Sequence, residues 1–300
     1  MFKPSILALA AMFSVAAAQA ETVYGLTTDN RLITFDTAAP SQGSAIGLSG
    51  LASSEKLLGL DARPTNGQLY TLSNLGNVYT LDATSGAATF VGALKAPING
   101  SLLGFDFNPN ADVSGAASLR VITAAGDNYA VNVNPGANLG AVTRQTSVSS
   151  SGGPLKLTGA AYSNNDTDAG TPTSLFAIDT VSSSLFVTSA PAGGVYSLVG
   201  GLGASSLNVF GFDVSGSGVA YAGLTSEDSY SSLYTINLQT GAASLIGAFG
   251  IQGNTALPTI VGLAVAPAVP EPSTVGLMLA GLVTAGFVVR RNRNRRFSRA

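Results

Sequence analysis

A short segment with a central glycine recurs five times along this chain, and no other feature narrows the fold as much. It reads Leu58-Gly59-Leu60-Asp61, Leu103-Gly104-Phe105-Asp106, Thr158-Gly159-Ala160-Ala161, Phe210-Gly211-Phe212-Asp213 and Val261-Gly262-Leu263-Ala264, with the glycines 45, 55, 52 and 51 residues apart. A period of that length marks an architecture in which one supersecondary unit is copied and stacked. Between the glycine segments lie short runs bounded by Gly, Asn, Asp and Ser, such as Gln68-Leu69-Tyr70-Thr71-Leu72, Asn77-Val78-Tyr79-Thr80-Leu81 and Ala88-Thr89-Phe90-Val91, which read as strands and turns. About four strands per unit predict a propeller blade.

One unit copies another without a gap. Tyr79-Thr80-Leu81-Asp82-Ala83-Thr84-Ser85-Gly86-Ala87-Ala88-Thr89-Phe90-Val91-Gly92 matches Tyr234-Thr235-Ile236-Asn237-Leu238-Gln239-Thr240-Gly241-Ala242-Ala243-Ser244-Leu245-Ile246-Gly247. Each predicts a hairpin whose turn glycine supplies a positive φ. The fifth unit breaks off after Val265, and its missing strands stand at the other end as Val23-Tyr24-Gly25-Leu26, Arg31-Leu32-Ile33-Thr34-Phe35 and Ser44-Ala45-Ile46. The expected fold is therefore all-β: a five-bladed β-propeller-like domain closed by its N- and C-terminal strands, with no open edge between them. A β-sandwich would not need five matching glycine segments, and a β-helix would repeat at a shorter period.

Both ends read as transport signals. Residues 1–20 carry Lys3, an apolar run and then Ala18-Gln19-Ala20, the small-x-small pattern of signal peptidase, which predicts cleavage before Glu21. At the other end Val269-Pro270-Glu271-Pro272 leads into a small, apolar run over 275–289 and then Arg290, Arg291, Arg293, Arg295, Arg296 and Arg299. As a helix that run would span ~22 Å at ~1.5 Å per residue, against a ~30 Å hydrocarbon core. Snorkelling arginines and local thinning make up the difference, and the arginines act as the membrane stop, held on the cytoplasmic side.

This order of Pro-Glu-Pro, short hydrophobic helix and arginine-rich end resembles the PEP-CTERM sorting signal of Gram-negative bacteria. The resemblance implies cleavage by the membrane protease exosortase, with the chain anchored in the inner membrane first and then sent to the cell surface or beyond. The expected organisation is a signal peptide over 1–20, the propeller domain over 21–267 and the sorting signal over 268–300.

Between Glu21 and Pro267 lie fifteen acidic and seven basic side chains, a formal charge near −8. So acidic and sparsely charged a surface excludes nucleic acid, which needs basic patches. Cysteine is absent, so stability must come from burial rather than disulfides. Within this span, the strings Val23-Tyr24-Gly25-Leu26-Thr27-Thr28-Asp29-Asn30-Arg31-Leu32, Leu58-Gly59-Leu60-Asp61-Ala62-Arg63-Pro64-Thr65-Asn66-Gly67-Gln68-Leu69-Tyr70, Gly104-Phe105-Asp106-Phe107-Asn108-Pro109 and Ala161-Tyr162-Ser163-Asn164-Asn165 resemble the bacterial domain-of-unknown-function 4394 family. That resemblance carries over no catalytic residue.

With no histidine, cysteine or tryptophan in the chain, Ser-His-Asp and Cys-His triads and His- or Cys-based zinc sites are excluded. Carboxylates remain. Asp61, Asp106 and Asp213 each stand two residues after a repeat glycine, whereas Ala161 and Ala264 fill the equivalent places. Equivalent positions come round one ring of a propeller, so these acids are candidates to coordinate a hard cation such as Ca2+. The alternative is that each caps its own turn. The loop Asn164-Asn165-Asp166-Thr167-Asp168-Ala169-Gly170 reads as solvated, and Glu55 or Glu227 would have to join an aspartate to make a glycosidase pair. No motif demands a cofactor. The expected function is an exosortase-processed surface or matrix protein, a non-enzymatic scaffold lying with exopolysaccharide. A glycan- or cation-binding propeller and a carboxylate-based hydrolase or lyase are the alternatives.

Overall fold

The computed structural model describes residues 20–168, 170–204, 208–225, 231–254 and 259–267. The membrane helix expected over 275–289, its arginines and the sorting motif lie outside these residues, as does Ala18 of the cleavage site. Among the described residues no helix is long and apolar enough to cross a membrane.

Five antiparallel sheets are laid down in chain order. The first holds β1 (Thr22–Thr27), β2 (Arg31–Asp36) and β3 (Ser44–Gly47). The second holds β4 (Asp61–Ala62), β5 (Leu69–Leu72), β6 (Asn77–Leu81) and β7 (Ala88–Ala93). The third is β8 (Leu102–Phe107), β9 (Leu119–Thr123), β10 (Asn128–Val131) and β11 (Val142–Gln145). A two-strand flap, β12 (Ser149–Ser150) and β13 (Gly153–Pro154), precedes the fourth sheet, β14 (Leu157–Tyr162), β15 (Leu175–Asp179), β16 (Ser184–Thr188) and β17 (Val195–Gly201). The fifth is β18 (Asn208–Val214), β19 (Ala220–Thr225), β20 (Ser231–Ile236) and β21 (Ala243–Ala248). A last strand, β22 (Ile260–Val265), returns to the first sheet and pairs with β1 from Val23↔Val265 to Thr27↔Ile260, giving the order β22-β1-β2-β3. The fold is thus a five-bladed β-propeller closed by its two end strands.

Local chemistry explains the hairpins. In the two copied turns Gly86 and Gly241 take φ of 73° and 81°. Asp82 Oδ1 accepts the N–H groups of Thr84 and Ser85 at 2.8 Å each, and Asn237 Oδ1 those of Gln239 and Thr240 at 2.9 and 3.0 Å. Both ladders also slip at the equivalent tyrosine, between Val78 and Tyr79 and between Leu233 and Tyr234. Asn108-Pro109 opens the short helix α1 (Pro109–Val113): Asn108 Oδ1 accepts the Ala111 N–H at 3.1 Å, and Pro109 occupies a first-turn position whose N–H would be orphaned.

Hydrophobic packing lies between blades rather than in one central core. Each of five clusters draws on two neighbouring sheets; Tyr70, Leu72 and Val78, for example, meet Phe105, Phe107 and Leu119, while Val23, Ile33 and Phe35 meet Tyr221, Leu233 and Phe249. Fully burying one such Leu or Ile side chain contributes about 1.5–3 kcal/mol. At the axis the repeat glycines explain themselves. None has a positive φ; what they need is space. A Cβ on Gly59 would stand 2.7 Å from the Phe105 ring, on Gly104 3.0 Å from Ala160, on Gly159 2.8 Å from Phe212, on Gly211 2.6 Å from the Leu263 nitrogen and on Gly262 2.7 Å from the Leu60 nitrogen. Every glycine therefore faces the residue that follows the glycine of the next blade, and the fifth contact leads back to the first.

Candidate functional site on the propeller axis

Two residues beyond three of the five glycines the inner strands bring an acid inward. Asp61, Asp106 and Asp213 come from three different blades, are 1 %, 3 % and 1 % exposed, and each has a carboxylate oxygen within 4.8 Å of the others'. The structure thus brings the three sequence candidates together.

Their hydrogen bonds follow one rule. The Phe107 N–H donates to Asp61 Oδ2 at 2.7 Å, the Tyr162 N–H to Asp106 Oδ1 at 3.0 Å and the Val265 N–H to Asp213 Oδ2 at 2.6 Å. In each case the donor is the third residue after the glycine of the next blade. The idea that each aspartate caps its own turn holds only for the added bond from Ala62 N–H to Asp61 Oδ1, 2.7 Å; the main partners lie across the blade interface. Asp213 Oδ1 is buried and has no hydrogen-bond partner.

Burial, and then the charge of Asp213, pushes Asp61 well above the ordinary carboxylate range; burial and then Asp61 and Asp213 do the same to Asp106. Burial pushes Asp213 up to about 7, with the Glu21 charge adding to it, against the pull of the Val265 and Val214 N–H groups. Three carboxyls so close in a dry setting cannot all ionise without a compensating charge. The glycine segments alongside line a partly open axial pocket of about 20 Å3, with Leu60, Phe105, Phe212 and Leu263 among its walls. It is large enough for one water-sized occupant and too small for a sugar ring.

The other carboxylates considered from sequence are occupied elsewhere. Glu55 is buried and accepts from Asn77 Nδ2 at 2.9 Å, the Tyr79 hydroxyl at 2.8 Å and the Ala52 N–H at 3.3 Å. Burial opposes its charge, but the bonds from Ser73, Asn77, Tyr79 and Ala52 outweigh it and hold Glu55 below its usual range. That suits an inter-strand clamp rather than a general acid. Glu227 lies outside the described residues. Asp166 and Asp168 are exposed and make Asx turns to the N–H groups of Asp168 and Gly170 at 2.8 and 2.9 Å.

Two buried cations escaped the sequence reading. Arg63 pairs with Asp112 at 2.7 Å across the second and third blades, and Asp112 also accepts from the Thr65 and Ser118 hydroxyls at 2.6 and 2.9 Å. Arg120, opposite Asp106 in the β8–β9 register, donates to Tyr162 OH at 3.1 Å, Asn128 Oδ1 at 2.7 Å and Gln145 Oε1. Such long-range pairs leave no local pattern. Apart from the axis, the described residues also form a groove of about 580 Å3 beside the Ser73–Gly76 turn and the connector over 94–100, lined by Asn74, Leu75, Lys95 and Asn99.

Five blades closed by strands from both ends, with an acidic cluster at the hub and a sorting tail beyond, define an exported β-propeller. The chain belongs to the family described as domain of unknown function DUF4394, whose model matches residues 31–264, and a PEP-CTERM protein-sorting motif matches residues 268–294. The motif marks it as exosortase-targeted, exported and membrane-anchored before processing. None of the curated proteins matches the chain. Among solved structures it is similar to one in a nidogen/laminin complex (11 % identity, 83 % of this chain and 98 % of that one, TM-score 0.46). A structural-genomics protein of unknown function from Bacteroides thetaiotaomicron VPI-5482 matches at 13 % identity over 82 % of this chain and 68 % of that one, TM-score 0.48. The calcium-binding protein regucalcin from Agrobacterium tumefaciens str. C58 matches at 13 % identity over 79 % and 75 %, TM-score 0.41.

Proposed function

We propose that the mature protein, residues 21–267 after loss of the signal peptide and the sorting tail, is a non-enzymatic scaffold that lies with exopolysaccharide at the cell surface. The observation that carries this reading is the state of the axial acids: Asp61, Asp106 and Asp213 are buried and spend oxygens on the backbone of the next blade, so they hold the ring together rather than meet a substrate. The groove lined by Asn74, Lys95 and Asn99 offers amide and ammonium groups to a hydroxyl-rich or acidic polymer, with Leu75 and Leu94 for its apolar faces.

The test is to melt residues 21–267 against polysaccharide purified from the producing cells' own matrix. Saturable stabilisation by mass action, lost in a Lys95→Ala/Asn99→Ala variant, makes the scaffold a glycan-binding module that holds the polymer in this groove; no stabilisation leaves a scaffold for protein contacts. Release of new reducing ends that disappears in Asp106→Asn would instead establish a carboxylate-based hydrolase.

A further inference from the structure

The axial carboxylates have a charge problem that protein groups do not solve. The buried arginines are committed to Asp112, Asn134, Tyr162, Asn128 and Gln145, and among the described residues no ion pair reaches Asp61, Asp106 or Asp213. Backbone N–H groups neutralise one oxygen of Asp106 and both of Asp61. Asp213 Oδ1, buried and without a partner, is a lone acceptor in a setting where an unmade hydrogen bond to a charged oxygen is costly.

We propose that Asp61, Asp106 and Asp213 form a Ca2+ site on the propeller axis, with Asp213 Oδ1 as its uncommitted ligand. The donor set is all oxygen, as a hard cation requires, and the chain has no cysteine or histidine to draw a softer metal. The separations, within 4.8 Å, match ligands that share one Ca2+ at ~2.3–2.6 Å; Mg2+, at ~2.0–2.1 Å, would need the three inner strands to close further. The ion replaces the missing cation and binds three of the five blades at the hub. Ala161 and Ala264 leave the fourth and first blades, on either side of the Asp213 blade, without a ligand, so the remaining positions fall to water or carbonyl oxygens. It stands apart from the polysaccharide reading: chelated protein that still binds the polymer, or calcium-loaded protein that does not, separates the two.

Residues 21–267 contain every described strand, including both that close the ring, so this piece is a folding unit. After treatment with EDTA and removal of the chelator, it is titrated with CaCl2 by calorimetry and melted with and without the ion. The expected result is one ion per chain, half-saturation below about 1 mM as in extracellular modules, and a raised Tm. Asp213→Asn keeps an oxygen for the Val265 N–H while removing the charge. It is expected to weaken Ca2+ roughly tenfold or more, yet in EDTA at alkaline pH, where the wild-type carboxyls are forced to ionise, to melt above the wild type because one repelling charge is gone. If that variant fails to fold, Asp106→Asn is read the same way. No heat and no Tm change up to about 10 mM Ca2+, far above the range of such modules, overturns the proposal and leaves the acids sharing protons. Binding unaltered by both substitutions overturns it as well, and tighter binding of Mg2+ than of Ca2+ overturns the choice of ion.

Discussion

Gly262 tests the hub most directly, because its neighbour is backbone. An added Cβ would stand 2.7 Å from the Leu60 nitrogen, 2.9 Å from the Leu60 Cβ and 3.0 Å from the Gly59 carbonyl carbon, where ordinary contact begins at 3.4 Å. Rotating a side chain cannot relieve this, so the β22 strand or the Gly59–Leu60 segment must move by about 0.7 Å, and overpacking of that kind costs typically ~1–3 kcal/mol. Gly47 is the control: it lies in a strand, with no positive φ and nothing within 4 Å of the place a Cβ would take. There Gly→Ala is expected to stabilise by roughly 0.4–1 kcal/mol through the unfolded chain. The two substitutions are the same chemistry with opposite expected signs. Urea unfolding of residues 21–267, followed by far-UV circular dichroism, measures both. A Gly262→Ala variant as stable as Gly47→Ala would refute the claim that these glycines are there for lack of room.

Breaking the buried Arg63–Asp112 pair through Asp112→Ala leaves Arg63, Thr65 and Ser118 without their acceptor; it is expected to cost about 3–5 kcal/mol in the same urea assay. With calcium chelated, stability should fall between about pH 5 and 7. The native state holds a proton on Asp213 up to about 7 whereas the unfolded chain releases it near 3.8, so the native state binds more protons in that window and ΔG of unfolding drops as pH rises. Glu55, whose folded value is lowered, contributes stability above its unfolded range and loses it only in acid, below the window. A stability that climbs from pH 5 to 7 in chelator would contradict the shift. Mass spectrometry of the surface form should find Glu21 as the first residue and an end near Val269 to Pro272; a chain still carrying Arg290 to Arg296 would mean the tail is kept.

The blade count was legible because a position that needs the absence of a side chain leaves a mark in every copy. Spacing of the glycines gave the period, and the broken fifth unit gave the closure between β1 and β22. The positions of Asp61, Asp106 and Asp213 were legible for the same reason. Their bonding was not, since the partners Phe107, Tyr162 and Val265 lie 46, 56 and 52 residues away and strand periodicity says nothing about which neighbour an acid meets. An outer set of close approaches was also missed. Gly86 packs on the Gly47 carbonyl, and Gly140, Gly194 and Gly241 on the carbonyls of Ala93, Ser147 and Gly200, so a glycine that looked like turn chemistry alone is also a spacer between blades. The flap of β12 and β13, two residues per strand, is too short for a pattern, and β12 joins the fourth blade through parallel pairing with β17.

Closure by the end strands sets a timetable for export. If the amino end is threaded through a membrane first, as a signal peptide over 1–20 would have it, β1 emerges while its partner β22, more than 230 residues later in the chain, is still to come. Contacts that distant make for slow folding, and until they form the inner edge of β1 is unpaired and open to other chains. β22 ends at Val265, and the sorting motif begins at residue 268. The lock and the address label are therefore neighbours in the chain: the strand that shuts the ring is the last described element before the motif that sorts it.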